Sequence, residues 1–95
     1  MIMDPDREDV EAAQAGDPHA FQRLVIAYRE KALGLAMSMV KVPEQAADVV
    51  QDAFIKCHAS LTTFRFNSKF STWLYRIVYT TSLKRLCYKR RSSIF

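Results

Sequence analysis

Glycine occurs twice and proline three times in 95 residues, too little of either for a loop-rich or all-β chain. No apolar run approaches the ~18 residues that span a bilayer, so no membrane insertion is expected. The first twenty residues are acidic and polar, unlike a secretory signal, which places the protein in the cytoplasm. The two cysteines, Cys57 and Cys87, lack metal-ligand spacing and are expected to act as small buried hydrophobes. His19 and His58 stand alone as surface or packing residues. A nucleophile–base pair and a phosphate-cradling glycine loop are both missing, so an enzyme is the least favoured class, and neither a cofactor nor a metal is implied. What is there suits one domain: the length fits a single core, and 49% hydrophobic residues suffice to fill it.

The most informative absence is of acid. All ten aspartates and glutamates lie at or before Asp52, among five basic residues, so that part sums to −5. From Ala53 onward there are nine lysines and arginines and no acid. Such asymmetry points to a polyanionic partner for the second part. A membrane surface would also accept the charge. Nucleic acid is favoured because eight of the eleven aromatics fall after residue 63, interleaved with the cations.

The pattern predicts an all-α fold, a compact bundle of about four helices over about 6–15, 17–41, 43–61 and 68–91. Gly16 suits a left-handed C-terminal cap, and Asp17-Pro18 suits a helix start. Phe21, Leu24, Val25, Tyr28, Ala32, Leu35, Ala36 and Met39 recur at helical spacing. Val42-Pro43 ends that helix, because the residue before proline is driven from helical geometry. In the third helix one face reads Ala46, Val49, Val50, Ala53, Phe54, Cys57, Leu61. The other reads Asp48, Gln51, Asp52, Ile55, Lys56. Residues 61–67 break the periodicity and predict a loop, with Asn67 or Ser68 capping the fourth helix. Thr72 and Val78 to Thr81 are poor helix formers that admit a strand, but the spacing of Phe70, Trp73, Leu74, Ile77, Val78 and Thr81 favours helix.

The acidic face of the third helix reads either as solvated surface or as a docking surface for a basic partner helix; Ile55 beside two carboxylates favours docking. Phe70 and Trp73 fit the core stripe. Phe64 and Phe66 lie in a polar loop, which needs two phenylalanines only if they pack back or meet a ligand. Cationic grooves with aromatic platforms are the means of holding single-stranded nucleic acid. Lys84, Arg85, Lys89, Arg90 and Arg91 form a footprint for phosphates, which would position a strand without reading it.

These residues resemble region 2 of the extracytoplasmic-function (ECF) sigma factors. The carriers are Gly16-Asp17 with Ala20-Phe21, then Asp48-Val49-Val50-Gln51-Asp52-Ala53-Phe54-Ile55-Lys56, then Phe64-Arg65 with Ser68, Phe70 and Thr72-Trp73-Leu74-Tyr75-Arg76-Ile77. They span about residues 8–91 and are highly specific as a set. The resemblance implies a non-enzymatic transcription module of a bacterial cytoplasm. Asp48, Gln51, Asp52, Phe54 and Ile55 would dock on the β′ coiled coil of core RNA polymerase. The loop from about Ser60 to Ser68 would capture a flipped base of the promoter −10 element, with Phe64 and Thr80 lining the capture site. The fourth helix would guide the non-template strand. The implied DNA-binding set is Ser60, Phe64, Arg65, Phe66, Asn67, Ser68, Lys69, Trp73, Arg76, Tyr79, Thr80, Lys84 and Arg85. An anti-sigma factor covering the same faces is a further implied partner.

Three departures from the family carry expectations. Phe66 stands where glycine is usual after Phe-Arg, so an altered loop backbone is expected. Thr80 replaces asparagine, which changes the chemistry offered to a base. The region 4 domain that reads the −35 element is absent, and excision is favoured over a shortened protein. Two other readings compete: a helix-turn-helix duplex reader, which needs a turn of three or four residues, and a module that binds only protein through its acidic face.

Overall fold

The computed structural model describes the backbone of residues 3–93 and the side chains of residues 3–87; Lys89, Arg90 and Arg91 of the expected phosphate footprint lie outside the described side chains. Four α-helices are present: α1 Arg7–Gln14, α2 Pro18–Val40, α3 Pro43–Ser60 and α4 Phe70–Ser93, with a 3₁₀ turn at Leu61–Thr63. No strand occurs among the described residues.

Local chemistry sets the boundaries. Gly16 takes φ +102° after α1, while the Asp17 amide donates to Ala12 O and the Gly16 amide to Ala13 O. This pair of bonds satisfies the carbonyls left over at a helix end, in a geometry that favours glycine. Asp17 then caps α2, its Oδ1 accepting from the His19 and Ala20 amides at 2.9 and 3.4 Å, with Pro18 in the first turn. Lys41, at φ +63°, closes α2 one residue earlier than the pattern predicts. Pro43 opens α3 without a side-chain cap.

Helix α2 packs against α1, α3 and α4, and α3 packs against α4. Ala20, Ala32 and Ala36 of α2 and Ala46 and Ala53 of α3 are fully buried. Side chains this small let helix axes approach closely. Around them lie Val10, Leu24, Val49, Cys57, Leu61, Phe70, Leu74 and Val78.

The run of poor helix formers in α4 stays helical because Phe70, Leu74 and Val78 pack into the core, and its hydroxyls bond back to the preceding turn. Thr80 Oγ1 donates to Arg76 O at 3.0 Å, Thr81 Oγ1 to Ile77 O at 2.7 Å, and Ser82 Oγ to Val78 O at 2.9 Å. Back-bonded in this way, a hydroxyl is satisfied without water, so Thr81 and Ser82 sit inside the bundle at 5% and 0% exposure. The cysteines divide. Cys57 is buried and desolvation pushes its thiol up to about 12. Cys87 is exposed, contrary to expectation, although its neighbour Leu86 still packs against the core.

Candidate nucleic-acid interface

The two faces expected of α3 separate cleanly. Asp48, Gln51, Asp52 and Ile55 are exposed, Ile55 by 60%. Phe54 is a correction, since only 8% of it is exposed. Its ring belongs to the core, and with Phe21, Val25, Gln51, Ile55 and His58 it lines a shallow groove of about 410 Å³. The Phe21 and His58 rings meet edge to face at 4.8 Å in this groove.

The fourth helix presents Thr72, Arg76, Thr80 and Lys84 at four-residue spacing, all exposed, which places them on one side of the helix. Tyr79, half exposed, stands beside them. Leu35 of α2 joins Thr72, Tyr75, Arg76, Tyr79 and Thr80 around a second groove of about 470 Å³. The sequence pattern placed Leu35 in the core stripe; the structure leaves it partly exposed at the rim of this groove.

The loop before α4 differs from expectation in two ways. Phe64 packs inward, with 6% exposure. Its ring lies 4.9 Å from Trp73, 4.8 Å from Phe66 and 6.2 Å from Phe70. Placed by the 3₁₀ turn and enclosed by these neighbours, the ring offers little free face for a base. Trp73 and Phe66 are half-buried in the same cluster, and Ser60 and Ser68 are partly covered, while Arg65, Asn67 and Lys69 are exposed. The second difference is the cap. Helix α4 starts at Phe70, and the Phe70 amide donates to Asp4 Oδ2 at 2.7 Å. The expected caps do not act: Ser68 Oγ turns instead to Lys69 O at 3.1 Å.

Phe66 holds φ +58°, the left-handed conformation that glycine adopts most easily. The strain is offset by packing, because the ring lies against Phe64 and carries the Arg7 guanidinium 4.3 Å above its centroid. A left-handed non-glycine residue costs roughly 1–2 kcal/mol, of which glycine's looser unfolded state returns part. Phe66→Gly should thus be more stable than Phe66→Ala by about 0.5–1 kcal/mol, read from urea midpoints. An alanine variant as stable as the glycine variant would show that residue 66 leaves the left-handed region once the ring is gone.

The exposed faces of α3 and α4 meet along the seam between the two helices. Arg85 Nη1 approaches Asp48 Oδ2 at 3.9 Å, and Lys56 Nζ donates to Thr81 Oγ1 at 3.4 Å. Asp52, Lys56, Thr81, Lys84 and Arg85 line a polar groove there of about 390 Å³. Arg85, expected to touch phosphate, thus also lies beside a carboxylate of the exposed α3 face.

Residues near the N-terminus were not foreseen as part of this site. Besides Asp4 and Arg7, Gln14 Nε2 donates to both Leu61 O and Phe64 O at 3.0 Å. Tyr28 donates its hydroxyl to Asp6 Oδ2; burial and that carboxylate raise the phenol well above its usual range. Gln14 did leave a signal: it lies four residues after the buried Val10, so a polar side chain faces inward. Asp4 left none, being 66 residues from the amide it caps.

The sigma-70 region 2 family model matches residues 24–92. The chain is 42% identical over 91 residues to the RNA polymerase sigma-H factor of Pseudomonas aeruginosa, covering 96% of this chain and 47% of that protein. It is 33% identical over 84 residues to the ECF RNA polymerase sigma factor SigW of Bacillus subtilis, covering 88% and 45%. It is 45% identical over 73 residues to the ECF RNA polymerase sigma-E factor of Escherichia coli, covering 77% and 38%. The chain therefore spans less than half the length of these relatives. The NMR structure of an engineered region 2 of sigmaE in complex with GTAAAA matches at a TM-score of 0.85 and 42% identity, covering 92% of this chain and 90% of that one. A match over most of the chain, in sequence and in fold, makes this protein a member of the sigma-70 region 2 family, of the ECF kind.

Proposed function

We propose that this chain recognises and opens the promoter −10 element as region 2 of an ECF sigma factor. It docks on the β′ coiled coil of core RNA polymerase through Asp48, Gln51, Asp52 and Ile55, with the edge of Phe54 in the adjoining groove. Unpaired non-template DNA lies along α4 and the loop before it. Arg65, Lys69, Arg76 and Lys84 meet phosphates, while Tyr79 and the neighbouring groove receive bases. The work is binding, not catalysis: trapping the unpaired strand makes melting favourable. An anti-sigma factor covering both faces would hold the module inactive, and the bacterial cytoplasm is where it would act.

The observation that carries this reading is the row Thr72, Arg76, Thr80 and Lys84, exposed beside Tyr79 on a helix with no acid. Similarity to a region 2 domain solved with GTAAAA supports the choice of single-stranded DNA. A helix-turn-helix reading fits less well. Residues 61–69 separate α3 from α4, far more than a tight turn, and α1 and α2, which do meet tightly, put the acidic part of the chain forward.

Fluorescence anisotropy with a GTAAAA-bearing single strand and its duplex tests the proposal. The single strand should bind more tightly. Four phosphate contacts to single-stranded DNA give a log–log salt slope near −3, so affinity should fall about 50-fold from 50 to 200 mM salt. Equal or tighter binding of the duplex would overturn the reading.

A further inference from the structure

We infer that Gln14 is a positioning residue for single-strand recognition: with Arg7 and Asp4 it fixes the shape of the loop between α3 and α4 before DNA arrives. The inference rests on the single-strand reading above and adds to it a part of the chain that touches no DNA.

Three contacts from the first fourteen residues fall in order along this loop. Gln14 Nε2 spans Leu61 O and Phe64 O, 3.0 Å from each. A side-chain amide has two N–H donors, one for each carbonyl, so Gln14 joins both ends of the 3₁₀ turn. The Arg7 guanidinium covers Phe66 at 4.3 Å, where the backbone is left-handed. Asp4 Oδ2 receives the Phe70 amide at 2.7 Å, fixing where the loop becomes helix. Asp4 is itself held, its Oδ1 accepting from the Asp6 amide at 2.9 Å. Between these anchors Arg65, Asn67 and Lys69 are exposed and point outward.

Segments that order only on binding lose affinity to the entropy of ordering, and pre-ordered ones do not. The loop's own Leu61 and Phe64 anchor its first half in the core, but beyond them it contains a strained Phe66, and its serine does not cap α4. The remaining order comes from α1 and the residues before it. This also gives a purpose to the inward-facing Gln14, whose place an apolar residue would fill if packing were all that mattered.

The test is Gln14→Met, which keeps length and bulk but removes both donors. In the 95-residue chain we expect about a tenfold loss of affinity for the GTAAAA-bearing single strand, with an unchanged salt slope because no phosphate contact is lost. Binding to core RNA polymerase should be unaltered, and amide order parameters should fall for residues 65–68 in the free protein. A folded Gln14→Met chain that binds the strand as the parent does would overturn the inference. So would equal losses of strand and polymerase binding, the mark of a general structural role. Should Gln14→Met fail to fold, Asp4→Ala releases the other end of the loop, and the same outcomes decide. A parent chain with no preference for the single strand over duplex would instead defeat the functional reading, before any variant is compared.

Discussion

Phe64→Ala should cost the fold roughly 3–5 kcal/mol, the usual penalty for emptying a buried aromatic site. The ring is 6% exposed and lies within 6.2 Å of the ring centroids of Phe66, Phe70 and Trp73, so its loss opens a hole among packed aromatic rings. A chain of this size has a total stability of about 5–14 kcal/mol, so the variant should stand near the edge of folding. Its melting midpoint should drop by about 15–30 °C, followed by far-UV circular dichroism. Loss of strand binding would then follow from unfolding, and recovering the fold at low temperature should recover much of the binding. The opposite pattern would assign Phe64 to the DNA: a stability change under about 1 kcal/mol together with weaker strand binding. In that case the ring must turn outward to meet a base, and the inward packing would be a resting state.

That expectation takes one of the two alternatives the loop's residues leave open for Phe64, inward packing, over the capture role the family resemblance implies, and the reason is physical. Helices announce themselves through spacing. The stripes of α2, α3 and α4 were legible because burial repeats every three or four residues, and Asp17-Pro18 and Val42-Pro43 marked boundaries through backbone chemistry confined to two residues. A loop has no period. Phe64 beside Arg65 and Asn67 looks like a ring among polar groups, and only the 3₁₀ turn of Leu61–Thr63 shows that the chain swings it inward. Phe54 was misjudged otherwise: its core position was legible in the stripe, while the family resemblance placed it on the docking face, and the structure gives it to the core with only an edge in the groove.

The least legible features were the longest in range. Asp4 and Phe70 are 66 residues apart, and Gln14 reaches across 47 and 50 residues to its two carbonyls. No local pattern records such pairings, although the acid-rich opening residues did point to some partner. Part of that charge is spent inside the domain, where Asp4 caps α4, Asp6 accepts from Tyr28, and Asp9 pairs with Arg23 at 2.9 Å. The sharp division between an acidic half and a basic half therefore overstates what each half offers to outside partners. Glu44 and Asp52 of α3 are among the acids left exposed for a partner.

On that face, Asp52→Lys should lower affinity for core RNA polymerase by about 100-fold, since a charge reversed within a docked interface commonly costs 2–5 kcal/mol or more. The fold should be untouched, because Asp52 is exposed and surface changes of this kind usually stay within about 0.5 kcal/mol. Strand binding should persist and even rise slightly, because the new lysine joins Lys56, Lys84 and Arg85 along the seam. Asp48 should behave differently. It pairs with Arg85 at 3.9 Å, so on the proposed reading Asp48→Ala should both weaken docking and free a cation for phosphate. The salt slope for strand binding should steepen by about 0.7, the contribution of one additional phosphate contact. Pull-down with core polymerase and anisotropy with the GTAAAA strand measure the two effects separately. Retained polymerase binding in Asp52→Lys would remove α3 from the interface. Loss of both activities would show instead that docking and strand binding use one surface, and that the seam divides nothing.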